Sequence, residues 1–180
     1  MGRPRLLAMA AAIVLGAGLP VVAGGPVLVT VTGNVASANR GALDPQLDKL
    51  FVFNEVSFER AREFDLGTLE TLPQATVRAD FPKGRDIVEF TGPLVRDVLA
   101  SAGAGGDTVT VRAMDGYAVE VPMQEMLDKG AVLALARDGR PLGIGGFGPT
   151  QMVFPRADRP ELADMPDDWW IWQIYHIDVQ

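Results

Sequence analysis

The side chains that most often carry catalysis or bind metals are scarce in this sequence. Its 180 residues include one histidine, His176, and no cysteine. The absence of cysteine excludes thiolate nucleophiles and thiolate metal sites. A serine triad is excluded too, because no G-x-S-x-G motif accompanies the histidine. His176 alternates with apolar neighbours in the segment IYHI, which predicts a histidine on a strand face or at the surface rather than a metal ligand.

The other groups that could carry chemistry have structural interpretations that we favour. The pair Asp167-Asp168 is typical of a solvated surface in an acidic protein. The irregularly spaced methionines predict core filling rather than a soft-metal site. The glycine-rich run IGGFG does not match a dinucleotide loop, because no helix follows it to offer amide dipoles to a phosphate. The cluster of Trp169, Trp170 and Trp172 predicts aromatic packing at an edge.

The stretch GFGPTQMVFP, residues 146–155, has the composition of a ligand cradle. Glycine removes the Cβ and proline fixes the turn, so the backbone can approach a bound molecule closely. No lysine or arginine lies between Arg140 and Arg156. The stretch therefore predicts a cradle without charge.

The first 23 residues predict an export signal. Arg3 and Arg5 form a basic start, an apolar tract runs from residue 6 to 22, and Val21-Val22-Ala23 offers small residues for cleavage. An uncleaved anchor is the alternative, because the tract almost reaches spanning length. Arg3-Pro4-Arg5 is not a twin-arginine pair, which favours general secretion to the periplasm or the medium.

Charge and cysteine content limit the partners of the mature chain, residues 24–180. Without the first 23 residues it has 14 basic and 23 acidic side chains, a net charge of −9. Such a surface repels phosphate backbones and anionic lipid, so we expect no nucleic-acid partner and no stable membrane span after cleavage. Because no disulfide is available, the core alone must hold an exported fold.

The elements that must position any site form one α+β domain with mixed β-sheets and short helices. Asp65 is the predicted cap of one helix, and Pro93 the predicted first residue of a longer one that ends at Gly103. Two D-G turns, at Asp115-Gly116 and Asp138-Gly139, predict hairpins. A third short helix is predicted at 123–127. Strands are predicted at 27–32, 75–81, 87–90, 108–112, 117–121, 131–136 and 169–179, and a polar loop at 155–168.

The second half of the chain resembles a known family. The segments FTGPLVRDVLASAGA, DGYAVEVP, VLALARDGRPL, GPTQMVFP and WQIYHIDV follow one another as in the molybdopterin-binding domain of sulfite-oxidase-fold oxidoreductases. The chain is most similar to a small exported subgroup that consists of little more than that domain. The resemblance spans about residues 64–179 and implies a sulfite-oxidase-type fold, with the pterin lying across loops at one end of the sheets.

The resemblance also implies functional positions, and this sequence departs from them. The family's molybdenum ligand is a cysteine that would fall within residues 79–84, where Asp80 or Phe81 stands here. The family's phosphate-binding histidine and arginine align with Gly146 and Gln151. Its further lysine aligns near Ile171-Trp172. A carboxylate is a hard ligand and cannot imitate thiolate donation.

We therefore predict a binding module without a molybdenum centre, for a small molecule or an envelope protein partner. Its candidate pocket lining is Tyr117, Gly146, Phe147, Gln151 and Asp80. Three alternatives stay open. The pocket can be filled in; the protein can be an active molybdopterin-dependent oxidoreductase with Asp80, Arg78 or Arg85 near the metal; or it can be an accessory subunit that docks through residues 169–172.

Overall fold

A computed structural model describes residues 25–180, so the proposed signal segment, residues 1–23, lies outside the described residues. The described strands are β1 (Val27–Gly33), β2 (Arg62–Asp65), β3 (Gln74–Ala79), β4 (Val88–Pro93), β5 (Thr108–Ala113), β6 (Ala118–Pro122), β7 (Val132–Ala134), β8 (Ala136–Arg137), β9 (Arg140–Pro141), β10 (Gln151–Val153) and β11 (Ile174–Val179). The described helices are α1 (Lys49–Phe53), α2 (Leu66–Thr71), α3 (Val95–Ser101) and α4 (Met123–Asp128). This confirms the predicted α+β class with mixed sheets and short helices.

A five-stranded sheet with the order β2-β1-β11-β5-β6 forms the larger half of the fold. Strands β1 and β11 run parallel and every other pair in this sheet is antiparallel. Alternation along β1 buries Val29 and Val31 in the apolar core, while Thr30 and Thr32 lie on the opposite face. That opposite face is polar and buried, because the connection that contains α1 packs over it through Phe51.

Two smaller ladders complete the core, a four-stranded sheet with the order β3-β4-β8-β9 and the pair β10-β7. Asp138 and Gly139 join β8 to β9 with φ angles of 48° and 71°. Positive φ at both central residues is the geometry that a two-residue hairpin requires, which explains the D-G pair. Gln151 of β10 pairs with Ala134 of β7 and is fully buried.

The first predicted D-G hairpin is present and positions one predicted site residue. Strands β5 and β6 pair antiparallel, and Gly116 has a φ angle of 92° in the turn between them. The Asp115 carboxylate accepts a hydrogen bond from the backbone N–H of Tyr117 at 3.0 Å. This local bond holds Tyr117 at the end of the larger sheet, where its side chain is half exposed.

The helices agree with the sequence predictions except at two places. Asp65 caps α2 as predicted, and its carboxylate accepts from the backbone N–H of Thr68 at 2.7 Å. Helix α3 begins at Val95 rather than at Pro93, because Pro93 is the last residue of β4 and pairs with Gln74. Helix α1 was not predicted, since its five residues are too few for a recognisable helical period.

The C-terminal region differs most from the prediction. Strand β11 begins at Ile174 rather than at Trp169, because residues 167–169 form a 3-10 turn. The predicted polar loop at 155–168 contains a second 3-10 turn, at Pro160–Leu162, and a buried arginine, Arg156. Within residues 25–180 no helix is long and apolar enough to cross a membrane.

His176 lies in β11, fully buried on the polar face of the larger sheet. The Thr32 hydroxyl donates to the Asp178 carboxylate at 2.7 Å and lies 2.7 Å from Nε2 of His176. Because the hydroxyl gives its hydrogen to Asp178, Nε2–H of His176 donates to Thr32. The carboxylate contacts the threonine and not the imidazole, and both Thr32 and His176 are buried, so this is a structural network and not a nucleophile triad.

Neutral His176 makes the stability of the fold depend on pH. Burial lowers the pKa of His176 to about 4, against the opposing effect of Asp178 and with a smaller lowering by Arg112. The unfolded chain therefore binds the proton first, and stability falls as the pH drops from 6.5 towards 4, by roughly 3 kcal/mol at most. We expect His176→Gln to lose this component. Urea denaturation of both proteins between pH 7.5 and 4 measures it, and parallel stability curves would contradict the assignment.

Candidate functional site

The side chain that organises the candidate site is Arg156, which lies three residues after the end of the buried strand β10. Only 2% of its side chain is exposed. Its Nε donates to the Asp80 carboxylate at 2.6 Å, and its Nη1 donates to the Asp167 carboxylate at 2.7 Å. Two further hydrogen bonds reach the backbone carbonyls of Asp80 and Met165. Arg156 therefore holds together the segment after β3, the end of β10 and the 3-10 turn at residues 167–169.

Asp80, a predicted pocket residue, is committed to this ion pair. Burial raises its pKa, but hydrogen bonds from the Gly84 N–H, at 2.7 Å, and from Arg156 more than offset that effect and hold the pKa below its usual value. Asp80 is therefore an anion whose oxygens already accept strong hydrogen bonds. It stands behind the site as a structural partner and is not among the side chains that line the adjacent cavity.

A cluster of aromatic rings packs against Arg156. The guanidinium lies over the Trp170 ring, with its Cζ 4.4 Å from the ring centroid. Phe81 stacks parallel to Trp170, with a centroid distance of 5.4 Å and an interplanar angle of 4°. Phe147 packs edge-on against Phe81 at 5.4 Å. The guanidinium and Phe81 thus both pack against the Trp170 ring, and Phe81 is itself 6% exposed.

A cavity of about 430 Å³ opens beside this aromatic wall, and we call it the aspartate cavity. Its walls include Phe81, Trp170 and Trp172, and its polar groups come from three aspartates and one tyrosine, Asp115, Asp167, Asp168 and Tyr117. The Tyr117 hydroxyl donates to the backbone carbonyl of Asp168 at 3.4 Å, so the β5–β6 hairpin touches the 3-10 turn across the cavity.

A second cavity, of about 450 Å³, lies on another side of the same phenylalanine, and we call it the arginine cavity. Phe81 and Pro82 line both cavities. The arginine cavity adds Phe147, Asp86 and two basic side chains, Arg85 and Arg137. Arg137 also lies 5.8 Å over the Phe90 ring and 4.0 Å from the Asp138 carboxylate.

The structure does not bring the predicted lining residues into one concavity. Tyr117 lines the aspartate cavity and Phe147 the arginine cavity. The Gly146 carbonyl accepts from Nε2 of Gln173 at 2.9 Å, so this glycine braces a turn. Gln151 has no exposed surface, because it lies inside the β10-β7 pair, and its amide has no partner among the described residues. Phe81 lies between two cavities, so the predicted pocket is divided into two. Gln151 lines neither of them.

One carboxylate of the Asp167-Asp168 pair differs from its sequence interpretation. Asp167 is not a solvated surface group, because it binds Arg156 and accepts from the backbone N–H of Lys83 at 2.8 Å. Trp170 is buried, while Trp172 is 37% exposed and lines the aspartate cavity. Of the proposed docking edge, residues 169–172, mainly the Trp172 ring is therefore exposed for a partner.

The long-range pairing of Arg156 was missed because its partners lie 76 and 11 residues away. One sequence signal was available, since an arginine that closely follows a buried strand must be paired if it is buried too. No local pattern indicates that Asp80 and Asp167 share one arginine.

Residues 42–157 match the sequence profile of the oxidoreductase molybdopterin binding domain family, which is more than half of the chain. The chain belongs to this family. The crystal structure of the sulfane dehydrogenase SoxCD from Paracoccus pantotrophus has a similar fold, with a TM-score of 0.56 and 15% sequence identity. The match covers 84% of this chain and 37% of the SoxCD chain, so this protein spans little more than a third of that chain's length. No curated protein matches the sequence.

Membership of the molybdopterin binding domain family raises the question of whether the site fits a molybdenum centre. The metal position inferred from the resemblance is occupied by Asp80, which binds Arg156, and by Phe81, which stacks on Trp170. Within residues 25–180 no group of three or more histidine, cysteine or carboxylate side chains is placed to hold a metal ion. The donor chemistry at this position therefore does not fit a molybdenum site.

We expect Arg156→Met to destabilise the protein by about 3–5 kcal/mol, because it leaves Asp80 and Asp167 without their buried partner. Arg78→Met is the matched control. Arg78 pairs with Asp158 at 2.8 Å, but its side chain is 56% exposed, so its loss costs about 1 kcal/mol or less. Urea denaturation at pH 7 measures both changes. Equal losses in the two variants would contradict the organising role of Arg156.

Proposed function

We propose that this family member is an exported binding module for a small ligand or a partner's side chain, and that it carries no molybdenum centre. The observation that carries the proposal is the ion pair between Asp80 and Arg156. A carboxylate held by a buried guanidinium has its negative charge neutralised and its lone pairs occupied. Releasing it to a metal would break the buried ion pair and leave Asp167 as the only carboxylate partner of the guanidinium, which is unfavourable.

The phosphate anchors implied by the resemblance support the same proposal. Their positions are Gly146, which braces a turn, and Gln151, which is fully buried. The third position falls near Ile171-Trp172, where Ile171 is buried. Each cationic contact to a phosphate contributes roughly 1.5–3 kcal/mol. A pterin phosphate would therefore lose several kcal/mol of binding energy relative to a site with all three anchors.

The open aspartate cavity supports a binding role for this protein. Its volume of about 430 Å³ lies in the range of small-molecule sites. It combines aromatic walls with a few polar groups, a composition that binding sites share. Export rests on the sequence of residues 1–23 alone, and so does the assignment to the periplasm or the medium.

Metal analysis of the protein purified from its native compartment tests the proposal. We expect less than about 0.1 molybdenum atom per chain and no pterin fluorescence after denaturation, because neither thiolate nor anchors are present. A cysteine-containing member of the family, purified from the same cells, is the control for cofactor supply. Stoichiometric molybdenum with pterin in this protein would overturn the proposal.

A second candidate function is an oxidoreductase that holds molybdopterin through other residues. The arginine cavity favours it, because Arg85 and Arg137 present two guanidinium groups beside the Phe81 and Phe147 rings. Of the three residues suggested near the metal, Asp80 is paired with Arg156 and Arg78 with Asp158, which leaves Arg85. In this function the arginine cavity would bind the anionic end of the cofactor.

Reconstitution with molybdopterin distinguishes this candidate from the first. If the arginine cavity binds the cofactor, its addition raises the melting temperature of the wild-type protein by mass action, and Arg85→Ala/Arg137→Ala abolishes that shift. Arg60→Ala/Arg96→Ala is the control, since it removes two exposed arginines outside the cavity. Differential scanning calorimetry measures the shift. An unchanged melting temperature of the wild-type protein would exclude the second candidate.

A further inference from the structure

We propose that the aspartate cavity binds an organic ammonium ion. This inference rests on the binding function proposed above and names the chemical class of its ligand. Two independent features of the cavity carry it: its excess negative charge and its exposed aromatic side chains.

The charge of the cavity is negative and only partly compensated. Asp115, Asp167 and Asp168 all line it, and none of the described side chains that line it is basic. Behind the wall, the single guanidinium of Arg156 is shared between two carboxylates, Asp80 and Asp167, which leaves one negative charge in excess there. A cation that enters the cavity therefore meets an attractive field, and an oxyanion is repelled.

The side chain of Lys83, a second basic residue near the cavity, is paired elsewhere. The backbone of Lys83 donates to Asp167, but its ammonium group lies 3.8 Å from the Asp164 carboxylate. Asp164 lines a different cavity, between α4 and the 3-10 turn at residues 160–162. Asp168 forms no ion pair among the described residues, so its charge remains free to meet a ligand.

The aromatic side chains give the cavity a preference for organic cations over metal ions. Tyr117 is 50% exposed and Trp172 37% exposed, and both line the cavity. Ring faces of tyrosine and tryptophan carry negative electrostatic potential and bind ammonium groups without removing a tightly held hydration shell. A bare divalent ion instead needs converging oxygen ligands, and no such group occurs within residues 25–180.

The two cavities that share Phe81 and Pro82 differ in charge, so they are expected to bind ligands of different charge. The arginine cavity on one side has Arg85 and Arg137, and the aspartate cavity on the other side has only acidic charges. A ligand class inferred from net charge alone would be the same at both cavities, because the whole protein is acidic. The ammonium preference therefore belongs to the aspartate cavity.

Calorimetric titration of the full chain with choline, at low ionic strength and pH 7, tests the proposal. Choline joins a quaternary ammonium to a hydroxyl, and 3,3-dimethyl-1-butanol has the same shape without the charge. We expect saturable binding of choline, at least about tenfold tighter than that of the neutral alcohol, and weaker binding at high salt. Tetramethylammonium, which has the charge without the hydroxyl, is also expected to bind more tightly than the neutral alcohol.

Variants connect the binding to the cavity. Asp168→Asn and Tyr117→Leu are expected to weaken choline binding about tenfold, while Tyr117→Phe retains most of it because the ring stays. Asp107→Asn is the matched control for charge, since Asp107 is exposed and precedes β5 at the end away from the cavity. Circular dichroism and the urea midpoint establish that each variant is folded.

The outcomes separate this inference from the proposed function. Equal binding of choline and 3,3-dimethyl-1-butanol, or equal weakening by Asp168→Asn and Asp107→Asn, would overturn the ammonium assignment. An absence of choline binding in protein without molybdenum would also overturn it, while leaving the proposed binding module intact. Stoichiometric molybdenum in the native protein would instead overturn the proposed function itself.

Discussion

The rest of the site depends on the burial of one guanidinium group. Arg156 uses four of its five N–H groups to bind Asp80, Asp167 and two backbone carbonyls, and a tryptophan ring covers its plane. Arginine suits this position because its planar fork can satisfy several acceptors at once and stack on an aromatic face. Three segments that are distant in sequence are thereby fixed relative to one another, and both cavities are built on their surfaces.

The same interaction explains how a cofactor-binding fold can be kept while its metal position changes. The family fold is shown by the sequence profile and by the similarity to the SoxCD structure. At the position where the resemblance implies a thiolate, this chain has a carboxylate whose charge is balanced internally. The ion pair between Asp80 and Arg156 stabilises this loop through protein groups of the described chain. Fold alone would not have revealed this difference, since function lies in particular side chains.

Much of the fold could be predicted from the sequence because its signals are local. The D-G turns at Asp115 and Asp138 and the helix cap at Asp65 are each decided within four residues, and all three are present. The end of β4 was misplaced because Pro93 suits both the first residue of a helix and the last residue of a strand, and the pairing with Gln74 decided between them. Local chemistry could not resolve that choice.

The candidate site was less predictable because its contacts are long-range. Tyr117 and Phe147 were found from local patterns, but the division at Phe81 depends on stacking against Trp170, 89 positions further along the chain. The burial of Gln151 depends on which strand pairs with β10. A glycine- and proline-rich segment indicates where a chain can approach a ligand; it does not indicate which neighbours will already occupy that space.

The parallel pairing of β1 with β11 has a consequence for when the protein can fold. These strands are neighbours in the interior of the larger sheet, although Thr32 and Asp178 are 146 residues apart. Closing so long a loop is entropically costly, and non-local pairing of this kind slows folding. Strand β11 pairs with both β1 and β5, so the five-stranded sheet closes only when the strand furthest from β1 along the described chain is in place.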